Sequence, residues 1–144
     1  MIKIICVGKI KEQFYRDAIS EYMKRLRKYH KVIVEEVMDS DIVHEKDLII
    51  KHLNSRDYIV TLEIEGNLMS SLEFSSFVDR TLINNSNITF IIGGSNGLHE
   101  DIKKMSNYKL SFSKMTFPHQ LFRVILLEQI YRSFKIINNE SYHK

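Results

Sequence analysis

The residues best suited to chemistry lie in the last third of the chain. An apolar run, Phe90-Ile91-Ile92, leads into Gly93-Gly94-Ser95-Asn96-Gly97-Leu98. Glycines let a backbone approach a ligand closely and adopt positive φ, and the free amides of such a turn can hold a polar or anionic group. The spacing is GGxxG, not the GxGxxG of dinucleotide sites, and it lacks the Gly-Lys-Ser/Thr ending of a phosphate loop. The same residues also suit a tight strand-to-helix connection that binds nothing. A second segment, Leu110-Ser111-Phe112-Ser113-Lys114-Met115-Thr116-Phe117-Pro118-His119, mixes small hydroxyl and apolar residues ahead of a helix pattern. Such a loop can offer N–H and C=O groups to a purine edge while its side chains pack on the ring. Taken alone it is also an ordinary loop, with Pro118 near a first helical turn where proline is tolerated.

The six histidines, His30, His44, His52, His99, His119 and His143, show no spacing with one another or with Cys6 that resembles a zinc-ligand set. No metal site is expected. No Gly-x-Ser-x-Gly elbow is present. Glu35 and Glu36 point to opposite faces of a strand and cannot act as a pair. His30, His44 and His52 read as solvated surface residues. Arg123 and Arg132 lie nine residues apart, about two and a half helical turns, and fall on opposite sides of a helix.

The elements that must position these groups alternate. Four β-rich runs, Ile2–Val7, Val32–Val37, Tyr58–Glu63 and Ile88–Ile92, are separated by helical periodicity. Phe14, Ala18, Ile19, Tyr22, Met23, Leu26 and Tyr29 make one apolar stripe, opposite Lys24, Arg25, Arg27 and Lys28. A weaker helical signal covers Asp47 to Leu53, after a polar loop at Met38 to Val43. Ser70 with Glu73 resembles a capping box ahead of Leu72, Phe74, Phe77 and Leu82. The pattern predicts a short helix at Glu100–Met105, a strand at Lys109–Ser111 and a long helix over His119–Ile137, ended by Asn138-Asn139. Strands alternating with helices predict one α/β domain, residues 1–144, with a mostly parallel sheet flanked by helices.

Composition narrows the setting. The chain has 144 residues, one Cys, one Pro and a net charge of +3. That length buries enough surface to do without disulfides, and the lone Cys6 in an apolar run reads as a buried, inert thiol. A reduced, cytoplasmic location is expected. No apolar stretch approaches the ~20 residues of a membrane helix, and the opening run, interrupted by Lys3, is not a signal peptide. Leu98 to Lys144 carries eight Lys/Arg against four Asp/Glu, a modestly basic end compatible with a polyanionic partner.

Taken in order, Ile92-Gly93-Gly94-Ser95-Asn96-Gly97-Leu98, Leu110-Ser111 to Phe117-Pro118-His119, Arg123-Val124, Glu128-Gln129-Ile130-Tyr131-Arg132 and the terminal Tyr142-His143-Lys144 resemble the RlmH (YbeA-like) group of SPOUT-class RNA methyltransferases. The likeness extends to Ile4-Ile5-Cys6-Val7-Gly8-Lys9 and Thr61-Leu62-Glu63, and so covers essentially the whole chain. It implies a single small domain with a C-terminal trefoil knot, a homodimer, and S-adenosyl-L-methionine as cofactor. It implies methylation of N3 of a pseudouridine in 23S ribosomal RNA, on the assembled 70S ribosome. Carried onto this chain, the cofactor would sit against Leu62, Gly93, Gly94 and the loop Ser113, Lys114, Met115, Thr116, Phe117, Pro118. The connection around residues 39 to 54 is shorter than the resemblance would lead one to expect.

The resemblance also implies that Tyr142, His143 and Lys144 are catalytic and reach into the second subunit's site. His143 would accept the N3 proton, and Lys144 would stabilise the anionic base or contact phosphate. On its own, the same tail would read as a frayed terminus. His119 and Arg123 are candidates for substrate binding or loop support, and Arg25 and Lys28, with Lys31, for phosphate contacts. The competing readings are a non-catalytic RNA- or ribosome-binding protein of the same fold and a flavodoxin-type nucleotide domain. The latter calls for a ligand loop after the first strand, where Gly8-Lys9-Ile10-Lys11 offers one glycine.

Overall fold

The computed structural model describes residues 1–144. The chain runs β1(Ile2–Val7), α1(Gln13–Leu26), β2(Val32–Val37), α2(Ile42–Lys51), β3(Asp57–Leu68), α3(Ser71–Asn84), β4(Asn87–Ile92), α4(Glu100–Met105), β5(Tyr108–Ser111) and α5(His119–Ile137). The five strands form one sheet in the order β2-β1-β4-β3-β5, and every pairing is parallel. All five carboxyl ends therefore open on the same edge.

The sheet is buried on both faces, as an all-parallel sheet requires. Ile2, Ile4 and Cys6 of β1 join Ile88, Phe90 and Ile92 of β4 in a core with Leu26 of α1, Phe74 and Phe77 of α3, and Leu126 and Ile130 of α5. Ile5, Val7, Ile59 and Ile91 point the other way, against Ile49 of α2 and Ile102 of α4. Each such fully buried side chain contributes roughly 1.5–3 kcal/mol. Burial pushes the Cys6 thiol up to about 12, so it is a packing residue and not a nucleophile.

Local signals decide most boundaries. The capping box closes as its spacing predicts, with Glu73 N donating to Ser70 Oγ at 3.1 Å and Ser70 N to Glu73 Oε1 at 2.9 Å. Helix α2 starts earlier than its periodicity predicts. Asp41, part of the polar stretch expected to be loop, is its N-cap and accepts from His44 N at 2.9 Å. His30 also departs from a solvated role. Its ring stacks on Phe134 at 5.5 Å and 17°, half-buried, with Nε2 unpartnered.

Strand β3 runs five residues past its expected end. Both Leu62 and Asn67 pair with Leu110, and the bulge between them wraps the chain around β5. Gly66 makes this possible: a Cβ there would lie 2.8 Å from the Lys109 carbonyl oxygen.

Candidate functional site

A cleft of about 550 Å³ opens at the carboxyl ends of β3, β4 and β5. Three segments line it: Leu62–Glu65, Ile92–Leu98 and Ser111–His119, completed by Lys103 and Phe122. A carboxyl-end crevice of this size suits a small-molecule ligand.

The glycine turn is built by the protein's own packing. Gly97 takes φ +71° and donates its N–H to Gly94 O at 3.0 Å. A Cβ on Gly93 would lie 2.8 Å from the Gly97 backbone, and one on Gly94 would lie 2.9 Å from Val7 Cγ1. The glycines bring bare backbone to the cleft wall because the turn is folded against the sheet.

The loop after β5 braces itself. Ser111 Oγ donates to Ser113 O at 3.0 Å, and Met115 N donates to Ser113 Oγ at 2.9 Å. Phe112 stacks on Phe122 at 5.1 Å and 20°, which seats the loop on α5. No side chain caps α5 at Pro118, so first-turn N–H groups lack side-chain partners.

The cleft brings together Leu62, Gly93, Gly94, Ser113, Met115, Thr116, Phe117, Pro118 and His119. Lys114 is exposed and is not among the lining residues. Arg123 does not face the cleft. It is buried, with Nη1 2.7 Å from Glu36 Oε2 and Nη2 donating to Val7 O at 3.1 Å and Gly8 O at 2.6 Å. It supports the edge of the site; it does not meet a ligand there. Glu63 and Lys103 are additional polar lining residues. Glu63 Oε2 accepts from buried Thr61 Oγ1 at 2.7 Å, and its Oε1 lies 4.0 Å from Lys103 Nζ.

The C-terminal tail is docked on α5. Tyr142 Oη donates to Glu128 Oε1 at 2.7 Å, and the Tyr142 ring meets Tyr131 edge-on at 5.1 Å. Arg132 Nη2 donates to the same Glu128 oxygen at 3.0 Å, and its Nη1 lies 3.1 Å from His143 Nδ1. A guanidinium only donates, so in this contact His143 Nδ1 is the acceptor. Burial and the neighbouring Glu128 carboxylate push the Tyr142 phenol up to about 12. In this docking Nδ1 is taken by Arg132, and Nε2 is the remaining ring nitrogen. Lys144 is exposed at the end of the chain.

Arg25 and Lys28 gather near this tail and away from the cleft. Arg25 pairs with Glu21 at 3.5 Å and lies over the Tyr22 and Tyr131 rings, while Lys28 is 3.9 Å from Glu140. At 1.5 Å per residue, Glu128 and Arg132, where the tail docks, stand about 9 and 15 Å along α5 from Phe122 at the cleft. No residue of the tail lines the cleft of its own chain. The i,i+4 spacing of Glu128 and Arg132 was the available sequence signal for the tail's seat. For Glu63 there was only its place next to Thr61 and Leu62.

No helix is long and apolar enough to cross a membrane, and no group of three or more His, Cys, Asp and Glu side chains could hold a metal ion. Residues 1–143 match a family model described as "Predicted SPOUT methyltransferase". The chain is 50% identical to a Clostridium botulinum (strain Okra / Type B1) protein named Ribosomal RNA large subunit methyltransferase H, with 99% of each chain covered. A Clostridium kluyveri protein of the same name is 49% identical at the same coverage. These alignments span 157 positions against a chain of 144 residues, the balance being positions this chain lacks. Among solved structures, a probable methylase family protein from Haemophilus influenzae Rd KW20 superposes with a TM-score of 0.60 at 10% identity. That match covers 99% of this chain and 70% of the other, and it is a likeness of fold.

Proposed function

Because the chain belongs to the SPOUT methyltransferase family, we propose that it methylates N3 of a pseudouridine in 23S ribosomal RNA. The methyl donor is S-adenosyl-L-methionine, and the substrate is the assembled 70S ribosome. The fold is the family's, a parallel α/β domain with a C-terminal trefoil knot. The observation that carries the reading is the near-full-length identity of about one half to relatives named Ribosomal RNA large subunit methyltransferase H. A ribosomal RNA substrate sets the enzyme in the cytoplasm.

The cleft fits the donor. Gly93 and Gly94 present main chain at the cleft wall, and the Ser113–Pro118 loop offers main-chain donors and acceptors. Glu63 keeps Oε1 free of hydrogen bonds, with Lys103 beyond it. The pair offers an acceptor and a cation to ribose hydroxyls or an amino-acid group. When bound, S-adenosyl-L-methionine supplies a methyl group on a sulfonium, already a good leaving group. The protein's task is then alignment and charge stabilisation.

Completing the site takes a second copy. The tail docks on α5 outside the cleft of its own chain, and a homodimer brings one chain's tail to its partner's cleft. There the His143 Nε2–H and the Lys144 ammonium donate to the base as N3 loses its proton to solvent. Tyr142 stays protonated and holds the tail through Glu128. Arg25 and Lys28, on the same side as the tail, contact phosphate.

The test is incubation of purified protein with the donor and 70S ribosomes lacking the modification, followed by mass mapping of the 23S RNA. A single added methyl on one pseudouridine is expected. Donor binding with no added methyl would favour a non-catalytic RNA-binding role.

A further inference from the structure

The tail's start is held by a device separate from its reactive end. Asn138 closes α5, its side-chain amide donating to Phe134 O at 2.7 Å. Asn139 then takes φ +55°, and this left-handed residue turns the chain back. Glu140 comes next. Its N–H donates to Lys135 O at 2.8 Å. Its Oε2 accepts from Tyr29 Oη at 2.8 Å and Lys135 Nζ at 2.9 Å, with Lys28 Nζ 3.9 Å away. One carboxylate thus joins the tail, α5 and the segment that follows α1. The site is only part-exposed: 32% for the Glu140 side chain and 16% for Lys135. Lys135 also lies 5.6 Å from the centres of the Tyr29 and Tyr131 rings.

The geometry points to Glu140 as the positioning residue that fixes where the tail leaves α5, and so where Tyr142, His143 and Lys144 stand. The inference rests on the proposed role of that tail in methyl transfer. Tyr142 and His143 are held by Glu128 and Arg132. Glu140 touches none of those groups. Its partners, Tyr29, Lys135 and Lys28, all lie outside that set, so the clasp sets the tail's origin through contacts of its own. Charge supports the grip: the hydrogen bond from Lys135 holds the Glu140 carboxyl below its ordinary range and raises the lysine in turn.

Glu140→Gln tests this, since it keeps the shape and removes the charge. The expected result is a fall of about tenfold or more in kcat. Donor Kd and KM should stay within about twofold, because the cleft is remote. Amide exchange at Tyr142, His143 and Lys144 should quicken with no change in the rest of the protein. Tyr29→Phe should move the same quantities the same way by less. Wild-type kcat and tail exchange in Glu140→Gln, alongside lost turnover in His143→Ala, would overturn the clasp and leave the tail's role standing. Full turnover in both His143→Ala and Tyr142→Phe would remove the tail from the reaction, and the proposal with it. A fall in kcat with lost donor binding and a lowered Tm would mark Glu140 as merely structural.

Discussion

Arg123, on the last helix, places Nη1 2.7 Å from Oε2 of Glu36 on β2, while its Nη2 holds the carbonyls of Val7 and Gly8 at the end of β1. A single buried guanidinium thus ties the helix that follows the cleft loop to the edge of the sheet. Gly8 stands close by: a Cβ there would be 3.9 Å from His119 Nε2 at the cleft. Arg123→Met would leave two carbonyls and a carboxylate without their donor. Breaking a fully buried pair costs about 3–5 kcal/mol; Glu36 is part-exposed, so a loss of about 2–4 kcal/mol is expected. Urea unfolding measures it. Arg123→Lys should recover little, because an ammonium cannot reproduce the planar fork.

The glycine turn predicts a contrast between two neighbouring substitutions. Gly94→Ala puts a Cβ 2.9 Å from Val7 Cγ1 in the packed sheet, an overpacking expected to cost about 1–3 kcal/mol and to weaken donor binding. Gly97→Ala meets open space and pays only for its φ of +71°, about 1–2 kcal/mol. Calorimetric titration of the donor should therefore separate them, with Gly94→Ala the weaker binder.

His30 gives the stability a pH dependence of known sign. Burial lowers its pKa from the ordinary 6.5, helped by the nearby N-terminal charge. The unfolded chain therefore takes up a proton first. This contribution to stability is complete above about pH 6.5 and is lost as pH falls from there through the lowered native pKa. His30→Leu should lose less stability than the wild type between pH 7.5 and pH 5.5, read from urea midpoints. Equal losses would show that His30 is not the titrating group.

Where the sequence and the structure agree, the governing interactions are local. The strands Ile2–Val7 and Val32–Val37 and the helices Glu100–Met105 and His119–Ile137 fall where apolar period and punctuation put them. The Ser70–Glu73 box closes within one turn. What escaped depends on distant partners. The extension of β3 past Glu63 runs through Gly66 and Asn67, poor strand formers, and exists because β5 pairs with it twice. Arg123 stands in the sequence as a candidate for substrate binding or loop support, and only Val7 and Gly8, 115 or more residues away, decide between them. The cleft was legible as segments, since glycines and a proline-bounded loop mark it, but Glu63 and Lys103 carry no pattern of their own. The tail looked free because its seat, Glu128 and Arg132, is set by a chain reversal at Asn139 that no periodicity announces.

The decisive measurement is mass mapping of 23S RNA from unmodified 70S ribosomes after incubation with this protein and S-adenosyl-L-methionine. The predicted result is one additional methyl, on N3 of a single pseudouridine, absent when the donor is withheld. Unmethylated RNA at full donor occupancy, or a methyl on another base, would contradict it.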